Sequence, residues 1–507
     1  MTATAIGADV MPVPTLGAAR RIFTARHAAI LPLVAILMLQ GIASLSLHNT
    51  AFQDEALYLY AGRAYFNQLR GGPIVQEPYG TYLSGTPFFY PLVAGALDTL
   101  GGLAAARAFS LACMLFATVM VYWTTRQLFQ HDTALLAAAL FAVQGAVIFL
   151  GWFATYDALC VALLALAMAL AVRNSQGLPL LTVPAIGLIL FVAVASKYAA
   201  LLFVPPILAL LFWQTLQHDG LPQAILHTGL ALAIFCLCVA TVLTLNADIR
   251  TGIAFTTTNR VAMMLTPRTA LIANAVIWLG GVGVLAALGL FLLARKMPVL
   301  ALIFFGAFFL APAYHIYKLE ITSMHKHMAF SFLFAAPLAG YALGRLAGYG
   351  AEGNFRKRWL VGVAILLLFL NTGVATAQGF YAEWTDSTGL INVLRTQVRS
   401  SGRILAEESE VPRYYLQDIV GFWQWNNLYW FDYTDKSGKY LQGVAAYKAA
   451  LDERYWDLVV LRFGPSADVA NAIASDLKTN RNYELLAKIP VDTVYGSGFY
   501  WVWRRIS

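Results

Sequence analysis

The feature that most constrains this chain is a succession of long apolar runs. They fall near residues 28–47, 104–125, 134–151, 157–172, 179–196, 199–213, 224–245, 270–294, 298–316, 328–345 and 359–378. An α-helix needs about 20 such residues to cross the hydrocarbon core of a bilayer. Only helices and closed barrels satisfy every backbone polar group in that medium. The runs therefore predict an α-helical polytopic membrane protein with about 11 transmembrane helices. Composition points the same way: 59% of the 507 residues are hydrophobic and 12% charged, where a soluble domain carries about 25% charge. A disordered chain is excluded by the same figures. The four cysteines all lie in apolar runs and imply no disulfide framework. No small-residue cleavage signal follows the first run, so it reads as a retained helix.

Charge divides the chain near residue 379. Residues 1–378 carry 20 basic and 11 acidic side chains, whereas 379–507 carry 14 and 15. The expected domains are a transmembrane domain over 1–379 and a small soluble α/β domain over 380–507. In the latter, Leu390–Val398 and Ala467–Leu477 read as helices. Arg403–Glu407, Asp457–Phe463, Tyr483–Pro490 and Phe499–Arg504 read as strands. Basic residues in the short loops favour a cytoplasmic N-terminus. An odd number of spans then places the tail outside a plasma or inner membrane. The positive balance belongs to the membrane part and gives no reason to invoke nucleic acid.

The chemistry concentrates on that outer side. Residues 48–103 form a long first outer loop, and Asp54-Glu55 lies just beyond the first apolar run. Carboxylates this close to hydrocarbon are costly. Thr50 and Gln53 have capping-box spacing, so a helix is expected to begin there with the acids in its first turns. Such a carboxylate can serve as a general base; the alternative is a pair of helix-start acids solvated at the interface. Asp157 is the acid between the third and fourth runs, either functional or an N-cap with Thr155 as rival. Lys197 between two apolar runs, Arg260, and His325-Lys326-His327 before the tenth run suit a phosphate held at the membrane surface. His315, His325 and His327 match no established metal-ligand pattern. No cofactor is expected, although a divalent cation shared by Asp54, Glu55 and Asp157 stays open. The aromatic run Gly421–Tyr433 fits sugar stacking, core packing or the membrane interface.

This ordered set resembles the GT-C glycosyltransferases, in the branch that includes protein O-mannosyltransferases and aminoarabinose lipid A transferases. The resemblance rests on Phe52-Gln53-Asp54-Glu55 with Gly62-Arg63 downstream, Tyr156-Asp157, and Ser196-Lys197-Tyr198. Thr256–Arg260 and Met324–Met328 add weaker support. The resemblance implies a polyprenyl-phosphate-linked sugar as donor, Asp54 as general base with Glu55 beside it, and Lys197 on the donor phosphate. The expected substrate-binding set is Tyr58, Arg63, Asp157, Lys197, Arg260, His325, Lys326 and His327. The resulting expectation is an inverting transferase acting at the outer face on a glycan, lipid or protein hydroxyl, in contact with membrane lipids. The Leu57-Tyr58-Leu59-Tyr60 run departs from the protein mannosyltransferase pattern, and the large luminal insertion of those enzymes is missing. A transporter of an anionic or lipid-linked substrate would share the composition, but its charges would line a path through the bilayer.

Overall fold

The computed structural model describes residues 16–173, 181–256, 265–348, 355–464, 466–493 and 496–506. Among them, seven helices are long and apolar enough to cross a membrane: Tyr90–Leu128, Tyr198–Asp219, Leu221–Leu245, Arg268–Leu293, Pro298–Lys318, Met324–Leu346 and Leu360–Ala382. His131–Ala142 and Gly145–Gly151 meet at 71° and make at most one more. The expected count of eleven is not confirmed among the described residues. Two of the expected spans are the helices Tyr156–Ala171 and Thr182–Ser196, of 16 and 15 residues, short of the length needed to cross unaided.

Hydropathy along these helices follows what each one faces. In Leu221–Leu245 the most apolar window is 11% buried with a mean hydropathy of 2.4; in Met324–Leu346 it is 83% buried at 1.3. A helix bathed in lipid must be apolar on its whole surface, whereas one surrounded by protein can carry polar groups that find partners there. Met324–Leu346 is the central helix, and it brings Lys326 and His327 into the bundle.

The long loop read over residues 48–103 is mostly helix. Gln53–Leu69 and Tyr79–Tyr82 lie within it, and Tyr90–Leu128 begins well before its expected start. That long helix bends at Gly101-Gly102, where Gly102 has φ +67°, a value that costs glycine little. Gly62 and Gly95 let it meet Gln53–Leu69 at close range: a Cβ on Gly62 would stand 1.8 Å from the Pro91 carbonyl oxygen. The expected capping box at Thr50 and Gln53 does not form. Phe52 holds the N-cap position, and Glu55 accepts from its backbone N–H at 3.0 Å. Thr50 instead accepts from the Ser387 N–H at 3.0 Å, tying the loop to the tail.

Beyond Ala382 the chain forms a five-stranded mixed sheet in the order β2-β1-β5-β7-β6. Its strands are β1 (Ile404–Ala406), β2 (Trp425–Asn426), β5 (Leu458–Leu461), β6 (Tyr483–Thr493) and β7 (Gly496–Arg505), and β3 (Asp432–Thr434) pairs with β4 (Tyr440–Gln442). β1 runs parallel to β2 and β5, while β7 is antiparallel to β5 and β6. The helices Thr388–Gln397 and Ala467–Thr479 match the two read from sequence. The short helix Glu410–Tyr415 docks this sheet domain onto the first loop. Tyr415 Oη accepts from the Ala51 N–H at 2.7 Å, and Tyr414 Oη donates to Asp98 at 2.7 Å.

Candidate active site

Four chain segments bring two carboxylates and two ammonium groups together at one end of the bundle. Asp54, in the first turn of Gln53–Leu69, is ion-paired with Lys326 at the start of the central helix. Asp157, in the first turn of Tyr156–Ala171, is ion-paired with Lys197, which ends Thr182–Ser196. The two pairs are neighbours. His327 Nε2 lies 3.9 Å from Asp157, and Tyr58 Oη, one turn on from Asp54, donates to Tyr156 Oη at 2.7 Å.

Exposure separates the two acids. The Asp157 side chain is fully buried and Lys197 nearly so, whereas Asp54 keeps 30% of its side chain exposed against a buried Lys326. Both ammonium groups also lie over aromatic rings, Lys197 4.8 Å from the Tyr156 centroid and Lys326 5.6 Å from that of Phe153. Ring faces and carboxylates offset part of the cost of taking the cations out of water. Thr155 occupies the N-cap position of its helix, and its hydroxyl donates to Asp157 at 3.2 Å.

Glu55 has a different environment from Asp54. Arg107 grips it with two charged hydrogen bonds of 2.7 and 2.8 Å, and the Ala154 N–H donates to it at 2.7 Å. Arg107 also caps the carbonyls of Asn49 and Thr50 at 3.0 and 3.1 Å. This buried pair pins the loop just ahead of the catalytic candidate. Sequence reasoning missed the pairing, although an arginine at the head of an apolar run was a visible signal.

The remaining expected site residues divide. Tyr58, Lys326 and His327 join the cluster. Arg63 does not: it is ion-paired with Asp98 and stacks on Tyr414, 5.4 Å to the centroid. His325 packs between Phe149 and Phe380, at 5.5 and 4.9 Å. Arg260 lies outside the described residues. Among the described residues, no group of three or more His, Cys, Asp or Glu side chains could hold a metal ion. Of the three acids Asp54, Glu55 and Asp157, Glu55 is turned to Arg107.

His315 becomes part of the site only in three dimensions. Its Nδ1 lies 2.7 Å from the Glu320 carbonyl oxygen, which can only accept, so the proton is on Nδ1. With neutral rings, His315 Nε2 accepts from His327 Nδ1 at 2.7 Å. That leaves His327 Nε2 as a buried lone pair with no hydrogen-bond partner among the described residues. His327, expected on the phosphate, and His315, which matched no ligand pattern, thus form a hydrogen-bonded pair fixed by a backbone carbonyl.

Comparison with known proteins bears on the fold that carries these residues. The family model for dolichyl-phosphate-mannose-protein mannosyltransferase matches residues 87–245. ArnT from Cupriavidus metallidurans, in the apo state, superimposes with a TM-score of 0.61 at 14% identity, covering 94% of this chain and 98% of that one. The chain has the GT-C fold. The same ArnT bound to undecaprenyl phosphate gives 0.56 at 14% identity, over 93% and 97% of the two chains. A further GT-C structure is the oligosaccharyltransferase AglB from Archaeoglobus fulgidus, in complex with an inhibitory peptide and a dolichol-phosphate. It gives 0.56 at 14% identity, covering 92% of this chain and 74% of that one. No curated protein sequence matches the chain.

Proposed function

We propose that this protein is an inverting glycosyltransferase that moves a sugar from a polyprenyl-phosphate donor to an acceptor hydroxyl at the outer face of the membrane. The observation that carries the reading is the paired cluster: Asp54 with Lys326 beside Asp157 with Lys197, in a GT-C fold shared with an ArnT bound to undecaprenyl phosphate. A phosphate entering the site takes over the Lys326 ammonium and releases the Asp54 carboxylate toward the acceptor. The bond between the sugar C1 and the phosphate oxygen breaks while the bond from C1 to the acceptor oxygen forms. The acceptor's proton goes to Asp54. The leaving phosphate keeps the bonding electrons, and its charge is met by Lys326 and Lys197 in a site shielded from water. A base on one side of C1 and cations on the other invert the configuration in a single displacement.

Depth supports an enzyme over a transporter, since the charged groups gather at helix ends on one side of the bundle instead of lining a path through it. The test is to incubate the purified protein with labelled polyprenyl-phosphate sugars and membrane extract, then identify the labelled product. A labelled acceptor formed by wild type and not by Asp54→Asn is the expected result. Label that stays on the prenol with every donor and extract would sink the reading.

A further inference from the structure

A second cluster lies where the first loop meets the tail domain. Arg413, on the docking helix Glu410–Tyr415, is 6% exposed. Its guanidinium is held between two aromatic rings, 4.4 Å from the Phe422 centroid and 5.2 Å from that of Tyr60. Nε is buried with no hydrogen-bond partner, and no carboxylate among the described residues comes within ion-pair distance. Glu410, on the same helix, accepts from Gln53 at 3.2 Å instead. The guanidinium thus has ring faces on two sides, a buried Nε without an acceptor and no paired carboxylate among the described residues, while Glu77 carries charge near Tyr79 and Glu410 near Tyr82.

Tyr79 adds a second polar group against the same Phe422 ring. Its ring meets Phe422 edge-on at 5.7 Å, and its hydroxyl is buried without a partner among the described residues. Burial holds this phenol above its usual range, so it stays a neutral donor. Tyr82 and Trp423, 43% and 66% exposed, extend the aromatic surface toward solvent, with Trp423 5.0 Å from Phe422. Tyr60 follows Gln53 by two helical turns, so both lie on the stripe of Gln53–Leu69 that faces the tail, beside the stripe bearing Asp54 and Tyr58.

We propose that Arg413, Tyr79 and the rings of Tyr60 and Phe422 form a binding site for an anionic saccharide, a sugar bearing a phosphate or a carboxylate group. The guanidinium takes the anion through two parallel hydrogen bonds, the Tyr79 hydroxyl donates to it, and the aromatic faces cover the apolar face of the sugar ring. The proposal deepens the transferase reading by giving the acceptor a charged sugar unit, held beside the helix that presents Asp54.

The test uses the full chain in phosphatidylcholine nanodiscs without any lipid-linked donor, so its result is independent of the transfer assay. Binding of glucose 6-phosphate, glucuronate, inorganic phosphate and glucose is measured for wild type and Arg413→Gln. The expected result is that one or both charged sugars bind more tightly than inorganic phosphate and than glucose. Arg413→Gln should weaken that binding by about tenfold or more. Preference for glucose 6-phosphate or for glucuronate identifies the anion. Equal binding of inorganic phosphate, undiminished binding in Arg413→Gln, or no sugar binding to wild type overturns the proposal. If Arg413→Gln does not fold, Phe422→Leu keeps the charge and removes a ring; it should bring glucose 6-phosphate down to the affinity of inorganic phosphate, and unchanged selectivity overturns the proposal.

Discussion

Lys326 is paired with Asp54 across 272 residues of chain, the ammonium buried and the carboxylate 30% exposed. The exposed partner is the one an acceptor can reach, so Asp54→Asn should lower transfer by about 10²- to 10⁴-fold, the usual contribution of a general base. Binding of undecaprenyl phosphate to the same variant should survive, because both ammonium groups remain. Lys326→Met should do the reverse and weaken that binding first. Transfer by Asp54→Asn at the wild-type rate would falsify the assignment.

Glu55 and Arg107 should matter to folding more than to chemistry. Each leaves the other as an uncompensated buried charge when removed, at a cost of about 3–5 kcal/mol. Thermal unfolding in detergent should therefore show Glu55→Gln and Arg107→Met melting well below wild type, with Asp54→Asn close to it. A Glu55→Gln protein that melts normally and has lost transfer would move the catalytic role to Glu55.

Asp157 and Lys197 can be separated by a double substitution. Lys197→Met strands a buried carboxylate and should destabilise by about 3–5 kcal/mol. Adding Asp157→Leu removes that carboxylate and should restore most of the loss. Undecaprenyl phosphate binding should not return with it if, as proposed, the ammonium itself contacts the phosphate. A stable double variant that binds the lipid as wild type does would show that the pair is structural.

Glu408 gives the tail domain a pH dependence. Burial, with Glu407 and Glu410 nearby, pushes its carboxyl up to about 7 in spite of Arg462 at 3.4 Å. An acid whose folded pKa is raised takes up protons on folding between its unfolded value, near 4.5, and 7. Its stabilisation is thus complete below about pH 4.5 and is lost as pH rises through 7. At pH 8 the cost approaches about 3 kcal/mol. The melting temperature of wild type should therefore fall between pH 6 and 8 more steeply than that of Glu408→Gln. Parallel curves for the two proteins would contradict this origin.

The sequence by itself determined the membrane class, the acids beside the bilayer and most of the tail's elements. These are local properties: an apolar run shows its preference for lipid whatever its neighbours are, and the strand β6 and the helix Ala467–Thr479 follow from short-range patterning. Helix lengths and the first loop were less legible, because the Gly62–Gly95 contact that packs the loop helix depends on two segments meeting. Only the tertiary structure decided which charge answers which. Asp54 and Glu55 are adjacent in the chain, yet a step of one residue turns a helix by about 100°. One side chain therefore meets Lys326 and the other Arg107. The same holds for His315 and His327, twelve residues apart, and for Arg413, whose guanidinium meets one ring from the first loop and one from the tail. Charge pairing across a fold is a long-range choice, made by how the helices pack and invisible to any window of sequence.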